Sequence, residues 1–417
     1  MRVAYILLWF PEPSQTFVLN EVNTLVRLGL EVRVYTLYGP RPAGRLAGMG
    51  PAAAPVTHLG AAALGTLLRD LWRLGRHGAP GAGRFLRQVL LRRWRHPVTG
   101  GEALWAALAG VHLARRFGRD RIDHIHAPWA DGPATAAWVA SHLSGIPFSF
   151  SARAYDLHPP DGALGEKLAA AVFVRTNTRS NLSYLAGLAP EAAPKLVNIY
   201  NGVALGPQAA AAPPAGPPFR LLALGRLVAK KGFPLLLAAC RLLAEKKVDF
   251  RLTLAGAGPQ RRRLAALVQQ YGLGDRVTMP GFIPHREVPQ LLAGAHLLVM
   301  PSIIAPSGDR DGIPNVVLEA LAHEVPVVAT AVSGLPEVIV PGETGWLVPP
   351  QDPQALAGAI LAALKDPAEG RRRAQAGRDL VAREFDSRQN YARLQACFEN
   401  STPPSFPREG LGPGPRH

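Results

Sequence analysis

Cysteine is nearly absent. Cys240 and Cys397 are the only two in 417 residues, and each stands alone in an apolar helical pattern. A disulfide framework and a cysteine-based metal site are thereby excluded, and both residues read as core. No apolar run reaches about 18 residues free of charge, so no membrane-spanning helix is expected. No strand leads into GxGxxG with a downstream acid, which argues against a dinucleotide dehydrogenase. No repeat with a period of about 20 to 50 residues is visible. Acidic residues are scarce beside basic ones, with 30 Asp and Glu against 46 Lys and Arg and a formal net charge of +16. Abundant Ala, Gly, Pro and Arg with few Lys is the composition of a GC-rich coding sequence, so part of that charge reflects codon usage. The opening MRVAYILLWF lacks a small-residue cleavage site and reads as a first buried strand rather than a signal peptide. A cytoplasmic location follows as the expectation.

What is present is apolar sequence, 48% of the chain, in short bursts that alternate with helical patterns. A chain of this length is expected to form two domains of roughly 200 residues each. The segments VAYILLWF, EVRVYTLY, HIHA, PFSFSA, AVFVRTN and KLVNIY mark strands of a βαβ series. QAAAAPPAGPP, from Gln208 to Pro218, has no apolar periodicity and reads as a linker. FRLLALGRL, FRLTLAGAG, RVTMPGF, HLLVMPS and VPVVATA then mark a second α/β series, with helices after Gly232, Pro259, His285, Pro314 and Asp352. The expected architecture is α/β, two doubly wound Rossmann-like domains facing a cleft. Its parts are a first domain over 1–205, a linker over 206–218, a second domain over 219–385, a helix at 386–400 that crosses back, and an unstructured tail over 401–417. In doubly wound sheets ligands sit beyond the carboxyl ends of the strands, so the site should face that cleft.

Chemistry concentrates in the second half. LLALGRLVAKKGF puts Arg226 and Lys231 in one strand-to-helix connection, where cations beside a helix N-terminus suit a diphosphate. An ordinary solvated basic loop is the plainer alternative. A second Gly-rich strand end, LAGAGP with Gly256 and Gly258, favours the functional reading, since its glycines would let backbone approach a ligand. In GDRDGIPNVVLEALAHE, Pro314 suits the first helical position, so Asp311 precedes the helix and Glu319 lies inside it. Eight residues at helical rise span about 12 Å, too far to share a proton as a carboxylate dyad does. The two acids should therefore touch different parts of one ligand. Glu319 lies among Val316, Val317, Leu318, Ala320 and Leu321, and a buried Glu needs a partner. TAVSGLPEVI supplies one more Gly-bearing turn.

These pieces resemble the large family four of retaining nucleotide-sugar glycosyltransferases, which has the GT-B fold. The resemblance rests on NIYNGV (198–203), GRLVAKKG (225–232), LAGAGP (254–259), VTMPGF (277–282), LLVMPS (297–302), DGIPNVVLEALA (311–322), SGLPEVI and GETGWLVPP. The N-terminal half is similar to the narrower exopolysaccharide and colanic-acid type, through FPEPSQTFVLNEVNTLVRLGLEVRVYTL and HIHAPWADGPATAAWVASHLSGIPFSFSARAYDLH.

The resemblance implies that Arg226 and Lys231 bind the donor diphosphate, Glu319 the ribose hydroxyls and Asp311 the transferred hexose. Gly312, Ile313 and Pro314 would line the donor site. Backbone at Gly281 and Phe282 would meet the base, and Ser333, Gly334 and Leu335 the phosphate and sugar. Two positions depart from the family pattern. Asp311 stands where Glu is usual, and Arg153 of ARAYD stands where a His is usual. Arg153 cannot accept a proton but donates hydrogen bonds, and is taken as a catalytic contact together with Arg226, Lys231 and Asp311. His158, five residues on, reads as a loop residue. No metal and no cofactor are expected beyond the nucleotide diphosphate sugar as donor substrate, and the acceptor is a glycan or lipid-linked glycan. A non-catalytic nucleotide-sugar-binding subunit and a nucleotide-sugar epimerase are the alternatives. Finally, residues 69–121 carry twelve Arg against Asp70, Glu102 and Asp120, interleaved with Leu68, Trp72, Phe85, Trp94 and Trp105. They read either as a surface for anionic lipid on the inner face of the cell membrane or as a solvated helix pair with its aromatics in the core. No nucleic-acid motif accompanies the charge, and no nucleic-acid partner is expected.

Overall fold

The protein's structure is a computed structural model, which describes residues 1–42, 46, 49–77, 81–91, 97–158, 160–205 and 215–401. Most of the expected linker, 206–214, and the tail from 402 onward lie outside those residues.

Two parallel sheets organise the chain. The first takes β1 (Arg2–Leu7), β2 (Glu31–Thr36), β3 (Val56–His58), β4 (His124–Ala127), β5 (Phe148–Ala152), β6 (Val174–Thr176) and β7 (Leu196–Asn198). Their order is β3-β2-β1-β4-β5-β6-β7. The second takes β8 (Phe219–Leu224), β9 (Phe250–Ala255), β10 (Val277–Gly281), β11 (Leu297–Met300), β12 (Val327–Thr330) and β13 (Trp346–Val348), ordered β10-β9-β8-β11-β12-β13. This is the doubly wound pair that the alternating bursts predict. Strands such as RVAYIL are buried from Val3 to Leu7, and such near-continuous apolar runs are needed where helices cover both faces of a parallel sheet. The edge strands β3 and β13, three residues each, are not among the expected strands.

The helix Thr16–Arg27 buries Val18, Leu19, Val22 and Leu25 along one face, the spacing of an amphipathic helix on a sheet. Among the described residues no helix is long and apolar enough to cross a membrane. The helix Ser387–Ser401 follows the second domain in sequence but completes the core of the first. Its Tyr391, Leu394 and Phe398 are buried in one cluster with Tyr5, Val22 and Trp129, and Phe398 lies 5.2 Å from the ring of His126.

Where this returning segment passes the end of the first domain, the backbones nearly touch. A Cβ at Gly202 would stand 2.1 Å from Ser387 Cα, and the Gly202 N–H donates to the Tyr391 hydroxyl at 3.2 Å. Gly202→Ala is therefore expected to destabilise the protein by about 1–3 kcal/mol, the usual cost of forcing volume into a packed site. A denaturant midpoint unchanged from wild type would show that the crossing has slack.

Candidate active site

The strand order of the second sheet reverses between β8 and β11, and loops leaving such neighbours diverge to leave a crevice beyond their carboxyl ends. The loop after β8 ends in a tight turn at Ala229–Lys231. The Lys230 carbonyl accepts from Ile303 N–H at 2.9 Å, which ties the turn to the chain leaving β11. That tie brings Lys230 and Lys231, both buried, against the acids of the second loop. Lys231 Nζ lies 2.7 Å from Asp311 Oδ2. Lys230 Nζ lies 3.0 Å from Asp309 Oδ1 and 3.5 Å from Asp311 Oδ1. Burial pushes the Asp311 carboxyl up, but Lys231, Lys230 and then Arg226 hold it below its usual value. Arg226 is exposed. Three cations thus face two carboxylates, leaving an excess positive charge at the switch point.

Gly256 and Gly258 are both places of close backbone approach. A Cβ on Gly256 would stand 1.8 Å from the Gly225 carbonyl oxygen, and one on Gly258 2.6 Å from that of Leu227. Their missing side chains admit the neighbouring loop that carries Arg226. Gly281 closes β10, and Phe282 beside it is 55% exposed.

Pro314 is the extended cap (φ −62°, ψ 126°) of the helix Asn315–Ala322 rather than its first helical residue. Val316, Val317, Leu318, Ala320 and Leu321 are buried, as the apolar run predicts. Glu319 keeps 18% of its side chain exposed and has a partner that sequence reading missed, His285, whose Nε2 lies 3.2 Å from Glu319 Oε1. The hydrogen bond to Glu319 raises the His285 pKa against the opposing effect of burial. Ser333 adopts φ +51°, a left-handed conformation costly for a residue with a Cβ, and its buried hydroxyl oxygen has no hydrogen-bond partner in the protein. A Cβ on Gly334 would meet Thr178 of the first domain as well as Ile313, and one on Gly312 would meet Asn177 and Thr178, so these loops form the wall where the domains touch. Leu335 is fully buried, and its backbone N–H and carbonyl are engaged with Val332, Val338 and Ile339.

Arg153 is where structure and sequence reading part. Its side chain is buried, 1% exposed, and turns into the first domain. Nη2 pairs with Glu21 Oε2 at 3.0 Å, Nε donates to the Pro128 carbonyl at 3.0 Å, and Nη1 donates to Asn201 Oδ1. Arg175 donates to the same Glu21 oxygen, and Tyr5 to the other at 3.1 Å. Every nitrogen of the Arg153 guanidinium is engaged in this internal network, which corrects its expected role as a contact in the cleft. Asp156 anchors the loop instead, accepting from the backbone N–H of Ala130, Arg153 and Ala154. His158, by contrast, is half-buried against the Tyr184 ring at 4.6 Å. Burial and then Arg310 of the opposite domain lower its pKa, with a hydrogen bond to Asn181 and then Asp309 opposing.

The basic segment divides between its two readings. Trp105 donates its indole N–H to the Leu37 carbonyl at 2.8 Å, and Phe85 stacks on His142 at 3.7 Å, both turned inward. On the helix Leu64–His77, however, Leu64, Leu68 and Trp72 are 46%, 50% and 56% exposed. Trp94 lies outside the described residues.

The Glu21 network yields a pH prediction. Burial raises the Glu21 carboxyl, but Arg175 and Arg153 outweigh it and bring it from 4.5 to about 2. A carboxyl depressed in the folded state contributes stability above its unfolded pKa, and that stability is lost as pH falls from 4.5 toward 2. Glu21→Gln should therefore flatten the acid limb of stability against pH. At neutral pH it should cost about 3–5 kcal/mol, the usual result of stranding a buried charge. Parallel acid limbs in variant and wild type, followed by circular dichroism, would contradict it.

Residues 209–380 match the family model described as glycosyl transferases group 1. A Salmonella typhimurium protein named for colanic acid biosynthesis is 44% identical over 145 residues, 35% of this chain and 36% of that protein. The amylovoran biosynthesis glycosyltransferase of Erwinia amylovora is 35% identical over 182 residues, 44% of this chain and 45% of that protein. The matched stretches thus span less than half of these relatives. Among solved structures, the sucrose-phosphate synthase of Thermosynechococcus elongatus superposes with a TM-score of 0.69 at 22% identity, over 96% of this chain and 98% of that one. An Anabaena protein solved in complex with UDP gives 0.68 at 17% identity, over 96% and 100%. At such identities the likeness is one of fold. Architecture and neighbours together give the chain the GT-B fold, and its residues 209–380 are similar to glycosyl transferases group 1.

Proposed function

We propose that the protein is a retaining glycosyltransferase that moves a sugar from a nucleotide diphosphate to a glycan or lipid-linked acceptor, in the assembly of a surface polysaccharide. The observation that carries this reading is the excess of positive charge at the switch point, where Arg226, Lys230 and Lys231 face Asp309 and Asp311. A diphosphate arriving there meets an exposed guanidinium and two lysines already gathered, and preorganised charge of this kind stabilises a leaving diphosphate without reorganisation at the moment of reaction. Asp311, held ionised by the same lysines, faces the transferred sugar. Glu319, steadied through one oxygen by His285, takes the ribose hydroxyls. The backbone and hydroxyl of Ser333 stand ready for the phosphate or sugar. The departing phosphate oxygen takes the acceptor's proton, so neither a side-chain base nor a metal is required. The Anabaena neighbour solved with UDP and with UDP-glucose supports a nucleotide sugar as donor, and the relatives named for colanic acid and amylovoran support an exopolysaccharide product.

Arg226→Ala and Lys231→Ala should each cut turnover of radiolabelled donor by about a hundredfold or more, since losing one preorganised stabiliser costs about 2.7–4 kcal/mol. Because Arg226 is exposed, its variant separates chemistry from folding. Near-normal rates in both, with a confirmed donor, would remove the diphosphate assignment, and release of an altered free sugar without acceptor would point to an epimerase.

The same reading includes a peripheral association with the cytoplasmic membrane face. Leu64, Leu68 and Trp72 recur at four-residue intervals on one exposed side of their helix, with Arg69, Arg73 and Arg76 beside them, while Asp70 is turned inward onto His112 at 2.8 Å. An apolar stripe flanked by arginines fits an anionic interface, where each basic residue contributes about 1 kcal/mol. The full-length protein should sediment with anionic vesicles at low salt and lose them as ionic strength rises past the point where the screening length falls to about 8 Å. Leu68→Glu with Trp72→Glu should abolish it. Equal binding to neutral vesicles, or an undiminished double variant, would contradict this face.

A further inference from the structure

The helix Arg179–Leu188 starts just beyond the carboxyl end of β6, on the side of the first domain that meets the second. A helix leaves the backbone N–H groups of its first turn without helical partners. Thr178 serves one of them, its hydroxyl accepting from Asn181 N–H at 3.0 Å. The next two are served from the other domain. Glu337 accepts from Arg179 N–H at 2.9 Å through one oxygen and from Ser180 N–H at 3.0 Å through the other. A carboxylate in that position also lies on the positive end of the helix dipole.

Glu337 arrives there already oriented. The Tyr200 hydroxyl donates to its Oε2 at 2.8 Å. Tyr200 is buried in the core of the second domain among Val338, Ile339 and Phe385, its ring 4.3 Å from that of Phe385. Tyr200 and Glu337 therefore belong to one packed body, and the helix they capture belongs to the other. Glu337 also ends the turn Leu335–Glu337, where its own N–H donates to the Gly334 carbonyl at 3.0 Å. The Ser333–Leu335 loop and the capping carboxylate are thus one rigid piece. Nothing in the contact is loose, because a Cβ on Gly334 would come within 2.6 Å of Thr178 Cγ2. The two capping bonds lie at the solvent edge, where water can replace a lost partner, so they can open and close reversibly.

We propose that Glu337 is a positioning residue, a latch that holds the cleft closed by capping a helix of the opposite domain. It sets the separation at which the Ser333–Leu335 loop and Gly312 meet Asn177 and Thr178. This rests on the transferase reading for its consequence in catalysis, but the latch itself is a property of the fold. When the latch is closed, the sugar-facing loops and the first domain form one wall, and when it is open that wall is split.

The test uses the full-length protein with one fluorophore on an exposed position of each domain, Glu191 and Arg262, after replacement of both native cysteines by serine. In Glu337→Gln the amide can offer an acceptor to only one of the two N–H groups, and in Tyr200→Phe the carboxylate loses its guide. Both variants should shift the unliganded distance distribution to larger separations. Their kcat should fall about tenfold, as expected if the closed population drops to about a tenth, while affinity for UDP stays within about threefold of wild type because the nucleotide contacts lie in the second domain alone. A distance distribution identical to wild type in Glu337→Gln overturns the latch. So does a kcat loss matched by an equal loss of UDP affinity. A protein that turns over no donor at all, yet opens in Glu337→Gln, would refute the transferase reading and leave the latch standing.

Discussion

The Glu21 carboxylate, shared by Arg153 and Arg175 deep in the first domain, is the interaction from which much else follows. Two guanidiniums around one carboxylate are tolerable in a dry interior only when the remaining donors also find acceptors. Here they do. The carbonyls of Pro128, Ile199 and Tyr200 and the amide oxygen of Asn201 take them up, and these acceptors sit on the loop after β4 and on the segment that leads out of β7. One charged cluster therefore fixes the ends of several strands at once. It also fixes the stretch Ile199–Gly202, through which the chain leaves the first domain. The orientation of Tyr200, and with it that of Glu337, descends from the same arrangement.

Charge is used differently in the second domain. There Lys230, Lys231, Asp309 and Asp311 are gathered at the rim of the sheet, and the loops that carry them are seated by close backbone packing. Gly256 and Gly258 let the loop after β9 lie flat against Gly225 and Leu227, which fixes the backbone that carries Arg226. Lys230 and Lys231 are then steadied by the acids that they neutralise. Ion-paired side chains held on a closely packed backbone give a site that can exchange partners, carboxylate for phosphate, without moving its frame.

How much of this could be read from the sequence depends on how far apart the partners lie along it. The long buried strands, the helices between them and the switch-point loop are local features, and their apolar bursts and glycine-bearing turns announce them. Arg153 looks like a cleft residue because its neighbours in ARAYD are familiar, yet its destination is decided by Glu21, 132 positions away. His285 and Glu319 are 34 positions apart, on elements whose packing no periodicity reveals. The glycines of LAGAGP are correctly seen as places of close approach, but what approaches them is set by the neighbouring strand in the sheet. Pro314 is displaced by one position because a proline suits both a cap and a first helical turn, and only the backbone angles distinguish the two.

The return of the helix Ser387–Ser401 has a consequence for how the molecule comes into being. Strands β1 and β4 leave the ribosome before the second domain does, yet Tyr5 and His126 wait for Phe398 to cover them. Contacts so distant in sequence form late, because the intervening loop must close first. The second sheet, by contrast, has all its strands between Phe219 and Val348 and can assemble while the first is still missing its lid. During synthesis the half that is made first is therefore the half whose core is completed last.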